Sequence, residues 1–324
     1  MNTQSVKKKA LHVATQSSWY RFEQEGKKWL PVERALTYWS VTCLAVDPED
    51  PKLVYVGTEH SGIFVSHDGG AHWKRLEPNV PRLMTCSLLA LSGALLVGTV
   101  PAALYRNRGG GWEEIEKFRS SIGDASFPPS PDLGSRTRYL AADPELPGRL
   151  YAGIEVGGLL LSEDGGRNWK PANEGLSDPD VHQLLPCART PDLVVAACGE
   201  GVFRSLDRGA RWEKITPPGP RTYGMAVAED SDGAIYLGIT RGRPNTWLRP
   251  ERADGAIFRS RDAGAHWEPV VEGLRGGVMD LCADPEGNGI LAGTSEGELI
   301  AAGADGSRVV ASGLPCITAL ALGA

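Results

Sequence analysis

Four aspartates, Asp68, Asp164, Asp207 and Asp262, stand in one recurring string, Ser-x-Asp-x-Gly-x-x-Trp, which runs Ser66 to Trp73, Ser162 to Trp169, Ser205 to Trp212 and Ser260 to Trp267. A row of carboxylates could serve acid–base catalysis. Their company points elsewhere. An Asp beside a Ser and followed by Gly can accept backbone N–H groups across a turn, the Gly adopts a backbone angle other residues avoid, and the Trp covers apolar surface. These four acids are therefore assigned to holding loops. A second set is less regular and better suited to chemistry: the carboxylates Glu59, Glu155 and Asp180, the guanidiniums Arg136, Arg138 and Arg221, and the aromatics Tyr223, Trp247 and Trp39.

What positions them is a repeat. Short apolar runs such as Ile63-Phe64-Val65 and Ile257-Phe258 precede the strings and another strand follows each Trp, so each string is a hairpin loop. The corresponding tryptophans, Trp29, Trp73, Trp112, Trp169, Trp212 and Trp267, are spaced by 44, 39, 57, 43 and 55 residues. Spacings near forty fit four short strands with their turns. A second pattern lies upstream: Leu44 to Asp47-Pro48 then Tyr55-Val56-Gly57, Leu140 to Asp143-Pro144 then Tyr151-Ala152-Gly153, and Leu281 to Asp284-Pro285 then Ala292-Gly293. Proline ends the first strand because it has no N–H for a ladder.

With both patterns in place, nearly the whole chain resembles the bacterial neuraminidase repeat (BNR, Asp-box) β-propellers, a group that includes sialidases, xyloglucan hydrolases, the sortilin ectodomain and photosystem II assembly-factor propellers. Tyr105 to Trp112, with Asn107 and Gly109 at the Asp and Gly spacings, reads as a degenerate copy, and Gly297 to Val310 as a last blade without its Trp. Residues 10 to 32 supply three strands and lack a first one; the strand-like run Pro315 to Leu322 supplies it. The expectation is an all-β, seven-bladed β-propeller of four-stranded antiparallel blades, one domain over residues 1–324, closed by the C-terminal strand.

Composition narrows the classes. A net charge of −6 disfavours nucleic acid as a partner. No run is long enough for a membrane helix, and Ala10 to Ala14 is too short for a signal core, which points to the cytoplasm. Six cysteines match no zinc spacing, several fall inside apolar strands, and no His-x-x-x-His occurs, so no metal and no cofactor are expected.

In a propeller, the loops ahead of the innermost strands and those between second and third strands meet at one mouth of the channel. Ahead of inner strands stand Tyr38-Trp39, Arg82, Arg136 to Tyr139, Asp180 with His182, and Arg221 to Tyr223, with Arg136 and Arg221 read at equivalent repeat positions; between second and third strands stand Glu59-His60, Glu155, Glu200 and Glu296. Two insertions interrupt the period, one around Ser120 to Ser135 and one at Arg241 to Arg252 that carries Trp247. Trp19 falls at an apolar strand position and is expected in the core.

The resemblance implies several activities. A sialidase would need an arginine triad and a tyrosine nucleophile; Arg82, Arg138 and Arg221 with Tyr139 or Tyr223 imitate these, but Tyr20-Arg21-Phe22 lacks the family's Pro and sialidases have six blades. The xyloglucan hydrolases of this group use an Asp pair in a cleft between two propellers, and this chain carries one. The reading is therefore a binding module that recognises a protein, a peptide or an anionic small molecule through Arg136, Arg138, Arg221, Tyr223, Trp247 and Trp39. The alternative is a glycoside hydrolase- or lyase-type enzyme, sialidase-like, with Glu59, Glu155 or Asp180 as acid/base.

Overall fold

The inner strands of seven four-stranded antiparallel sheets contact one another in a ring, which makes the chain a seven-bladed β-propeller. The structure is a computed structural model and describes residues 9–26, 28–82, 84–122, 134–247, 253–285 and 289–323. From inner to outer strand, blade 1 is Ile317–Gly323, Ala10–Thr15, Ser18–Glu25 and Lys28–Ala35; blade 2 is Val41–Val46, Val54–Thr58, Ile63–Ser66 and Lys74–Arg75. Blade 3 is Thr85–Leu91, Ala94–Thr99, Leu104–Asn107 and Trp112–Glu114; blade 4 is Arg136–Ala142, Leu150–Glu155, Gly158–Ser162 and Lys170–Pro171. Blade 5 is Val181–Pro186, Val194–Cys198, Gly201–Ser205 and Glu213–Lys214. Blade 6 is Tyr223–Glu229, Ile235–Thr240, Gly255–Ser260 and Glu268–Leu274, and blade 7 is Val278–Ala283, Gly289–Thr294, Leu299–Gly303 and Gly306–Ala311.

Closure follows the expected route. Leu11 pairs with Leu322, Val13 with Leu320 and Ala14 with Ala319, so blade 1 is assembled from both ends of the described chain. The closing strand is tied on each side as well: Thr318 Oγ1 donates to Val41 O at 2.7 Å, and Leu320 N donates to Asp280 Oδ2 at 2.7 Å.

The core lies between blades. Tyr151, Leu159 and Leu161 of blade 4 pack with Val181, Val194 and Phe203 of blade 5, and blades 6 and 7 share a similar cluster. The Gly of each Tyr-x-Gly or Ala-Gly strand has a packing reason. A Cβ on Gly153 would stand 2.7 Å from Val181 Cγ1, the first inner residue of the next blade, and one on Gly293 would collide with Ile317 of the closing strand. Only glycine admits so close an approach.

Each Ser-x-Asp-x-Gly-x-x-Trp loop makes the same bonds. Ser66 Oγ donates to Asp68 Oδ1 at 2.8 Å and accepts Gly70 N at 2.8 Å, while Asp68 Oδ1 accepts His72 N at 2.9 Å. The loops at Ser162, Ser205 and Ser260 repeat the pattern. Bonding to the Asn168 backbone and side chain holds the Asp164 carboxyl down to about 2. The tryptophans reach backward to the preceding blade: Trp212 Nε1 donates to Ala172 O at 2.9 Å and Trp267 Nε1 to Ile215 O at 2.7 Å. Trp73 meets Trp19, which is fully buried, edge-on at 4.9 Å. The degenerate loop keeps part of the design, with Gly109 N on Asn107 Oδ1 and Trp112 Nε1 on Pro78 O.

Trp212→Ala removes a buried ring and an inter-blade bond, and should lower the unfolding free energy by about 3 kcal/mol or more, whereas Asp207→Ala should lower it by about 1 kcal/mol. Urea midpoints of the two variants measured side by side check that order.

Candidate functional site

A displaced register in the inner strands builds the mouth. Every blade from 2 to 7 has a β-bulge near the start of its inner strand, between Val41 and Cys43, Thr85 and Ser87, Thr137 and Tyr139, Val181 and Gln183, Gly224 and Ala226, and Val278 and Asp280, and the closing strand shifts between Ile317 and Ala319. A bulge leaves one residue unpaired and re-aims its side chain. The seven bulged residues are Thr42, Cys86, Arg138, His182, Met225, Met279 and Thr318, and all seven line a small central cavity of about 120 Å³.

Above this ring lies a larger cavity of about 760 Å³ lined by Arg136, Glu155, Asp178, Asp180, Tyr223 and Arg243 among others, and it shares Arg138, His182, Met225 and Met279 with the channel below. Arg136, Asp180 and Tyr223 each stand two residues before the bulged residue of their blade, Arg138, His182 and Met225, so they occupy one level of the mouth. This register corrects the expectation that Arg136 and Arg221 are equivalent: the counterpart of Arg136 is Tyr223, and Arg221 stands two residues earlier.

The groups in this cavity are engaged with one another. Arg136 Nε lies 2.9 Å and Arg138 Nε 4.0 Å from Glu155 Oε2. His182 Nδ1 donates to Gly224 O at 2.6 Å, and Nε2 faces the Tyr223 hydroxyl at 3.1 Å and Asp180 Oδ1 at 3.4 Å. Burial, followed by the charges of Asp180 and Glu155, pushes the Tyr223 phenol up. Burial would also raise Asp180, but His182 and the charges of Arg243 and Arg138 outweigh it and hold that carboxyl below its ordinary value. Asp178 goes the other way. Its burial and the nearby charges of Asp180 and Glu200 raise it, against the bonds it accepts from the backbone N–H groups of Asp180 and Glu200.

On the channel wall, Asp280 accepts Gln183 Nε2 at 2.9 Å and Leu281 N at 2.9 Å on Oδ1, and Leu320 N on Oδ2. Gln183 Nε2 also lies 3.2 Å from the Tyr139 hydroxyl, and its Oε1 accepts Val227 N at 2.7 Å. Burial raises the Asp280 carboxyl to about 6.

The residues singled out from the sequence divide by place. Arg136, Arg138, Glu155, Asp180 and Tyr223 come together in the mouth cavity. Arg221 does not line it; its guanidinium is bound to Asp254 O at 2.8 Å, Asp254 Oδ1 at 2.8 Å and Glu272 Oε1 at 2.9 Å. Trp247 donates to Gly242 O at 2.8 Å and lies so close to Gly277 that a Cβ there would collide with its ring, so it fastens its own loop. Trp39, 40% exposed, stands over Phe64 on blade 2, and Glu59 pairs with His60 on the same blade. Ser120 and Ser121, read as part of a Ser/Pro/Gly insertion, end a short helix over Glu116–Ser121; residues 123–133 and 248–252 of the two insertions lie outside the described residues. Sequence reasoning missed Arg243, Asp178 and Asp280. The first falls in an insertion with no repeat counterpart, and the last two look like ordinary loop and strand acids until the register is known.

The fold and mouth define a seven-bladed propeller with a charged, channel-linked cavity. No family model matches the chain. Among curated proteins it is 26% identical over 334 residues to a probable oligoxyloglucan-reducing end-specific xyloglucanase of Neosartorya fischeri, covering 82% of this chain and 39% of that protein. It is 28% identical over 196 residues to the xyloglucanase Xgh74A of Acetivibrio thermocellus, covering 46% of this chain and 23% of that protein. The chain thus spans less than half the length of these relatives. Among solved structures it is similar to the GH74 xyloglucanase of Xanthomonas campestris, with TM-score 0.67, 18% identity, and 90% of this chain and 49% of that chain covered. It is also similar to YCF48 bound to D1 peptide, with TM-score 0.63, 18% identity, and 91% and 90% covered. These likenesses establish the propeller.

A carboxyl raised on folding binds its proton more tightly in the folded state. Its stabilising contribution is full below the unfolded value near pH 4 and is lost as pH rises through about 6. Wild type compared with Asp280→Asn should therefore gain relative stability as pH falls from 7.5 to 4.5. Urea denaturation of both proteins at three pH values reads that difference.

Proposed function

We propose that the chain is a binding module that captures an acidic segment of a polypeptide at the channel mouth. The observation that carries this reading is the convergence of Arg136, Arg138 and Arg243 on one cavity rimmed by blades 4, 5 and 6. Guanidinium groups match carboxylates in charge and in planar geometry, and an anion at the mouth meets them already held by Glu155 and Asp180. Of the mouth carboxylates, Glu155 is paired with arginines and Asp178 is held by two backbone N–H groups, which suits orienting a partner more than proton transfer, while Asp180 Oδ1 is buried 3.4 Å from His182 Nε2 without a hydrogen bond. The similarity to a propeller solved with a peptide, over about nine-tenths of both chains, supports a polypeptide partner over a small anion.

A capped hexaglutamate peptide should bind in isothermal titration calorimetry, and Arg136→Ala with Arg138→Ala should weaken it by at least about tenfold, the usual scale for charge-assisted contacts, with the melting temperature preserved. Arg221→Ala should leave the affinity within about twofold, because that side chain is held by Asp254 and Glu272. Equal affinity for free glutarate and the peptide would transfer the reading to small anions.

One observation favours a second reading, hydrolysis of a glycan: Asp178 is raised and Asp180 lowered within one cavity, the divergence a carboxyl acid and its partner require, and the curated relatives are xyloglucanases. Under it, the chain releases reducing ends from xyloglucan oligosaccharides and Asp178→Asn abolishes the release, as a reducing-sugar assay would record.

A further inference from the structure

Among the described residues, the mouth and the channel are joined at a throat with a single permanent cation. Of the seven bulged side chains, Arg138 alone carries a permanent charge; the others are Thr42, Cys86, His182, Met225, Met279 and Thr318. Arg138 lines both cavities, and its salt bridge, Nε to Glu155 at 4.0 Å, is a loose one. Below it the Asp280 carboxylate is fixed by Gln183, Leu281 N and Leu320 N, and Arg138 is the nearby charge that favours its ionised form. Among the described residues, the titratable or charged groups lining the channel are Arg138 and Tyr139 from blade 4, His182 from blade 5, Cys43 and Cys86 from blades 2 and 3, and Asp280 from blade 7, whose strand also carries Cys282; blade 6 and the closing strand contribute Met225, Thr318, Ala319 and Leu320 to the lining. Burial drives Cys43 and Tyr139 to about 12 and Cys86 to about 11, and lifts Cys282 as well, so these stay neutral across the physiological range.

We infer that a ligand carboxylate inserts end-on at the throat against Arg138, and that its arrival is matched by uptake of a proton at Asp280, so that capture is coupled to acidity. This rests on the mouth being an anion-binding site and adds its regulation. The reason is electrostatic: an anion that neutralises Arg138 removes one of the influences that favour Asp280 as a carboxylate, beside its bonds from Leu320 N, Gln183 and Leu281 N, and brings a like charge toward it. Linkage makes the effect reciprocal, so a protonated Asp280 strengthens anion binding. The Gln183 amide transmits the change to blade 5, and Leu320 N to the closing strand. His182 sits at the same throat, but its Nδ1–H is committed to Gly224 O, and a His182→Gln variant separates its contribution.

The probes are the capped hexaglutamate peptide, whose carboxyls stay ionised above pH 5.5, and acetate as a free carboxylate. Affinity of wild type for the peptide should rise by about sevenfold between pH 8 and pH 5.5, the change that a one-unit displacement of a single group near 6 produces. Asp280→Asn should flatten this dependence and His182→Gln should retain it. Should Asp280→Asn fail to fold, the carboxyl ¹³C titration of Asp280 in wild type serves instead, with its midpoint moving up on saturation by peptide and unmoved by peptide in Arg138→Gln. Acetate reproducing the shift at higher concentration supports the coupling with a free carboxylate as the source. Peptide binding that is lost in Arg136→Ala yet flat with pH, or a slope that survives Asp280→Asn, overturns this inference and leaves the proposed function standing. Absence of any peptide binding at either pH overturns both.

Discussion

Everything at the mouth depends on one pairing, the antiparallel union of Ile317–Gly323 with Ala10–Thr15. A ring of blades that each bury their faces only against neighbours has no stable stopping point until the last blade meets the first. The same pairing brings Thr318 and Leu320 to the channel, where they bond Val41 O and Asp280. Closure and the channel wall are thus one structural fact. A polar network sits at the seam because a carboxylate that accepts an amide from the closing strand fixes its register, which apolar contacts alone specify less sharply.

The repeat was legible because its parts are chemically unusual together. Ser, Asp, Gly and Trp at fixed offsets encode a turn, and the four loops form it with the same bonds from Ser66 to Trp267. The Tyr-x-Gly strands were legible for a different reason: the Gly vacates the space that Val181 or Ile317 of the next blade fills. Seven blades and their closure follow from counting such signals, including the degenerate copy at Asn107 and Gly109.

The mouth was less legible, and the bulges are the reason. An extra residue in each inner strand shifts the register by one and decides which side chain enters the channel. Apolar alternation alone does not reveal it, so the sequence sets Arg221 level with Arg136, whereas the register puts Tyr223 there. Asp280 was hidden in the same manner, as one acid in a strand that otherwise reads as core. Trp247, chosen because no repeat explains it, lies against Gly277 and Gly242 and serves its loop.

Because Ala10 lies beside Gly323, the two terminal strands of blade 1 leave the wheel together, on the side where the Ser-x-Asp-x-Gly-x-x-Trp loops hang and away from Arg138. A molecule entering the basin approaches from the face opposite these two strand ends.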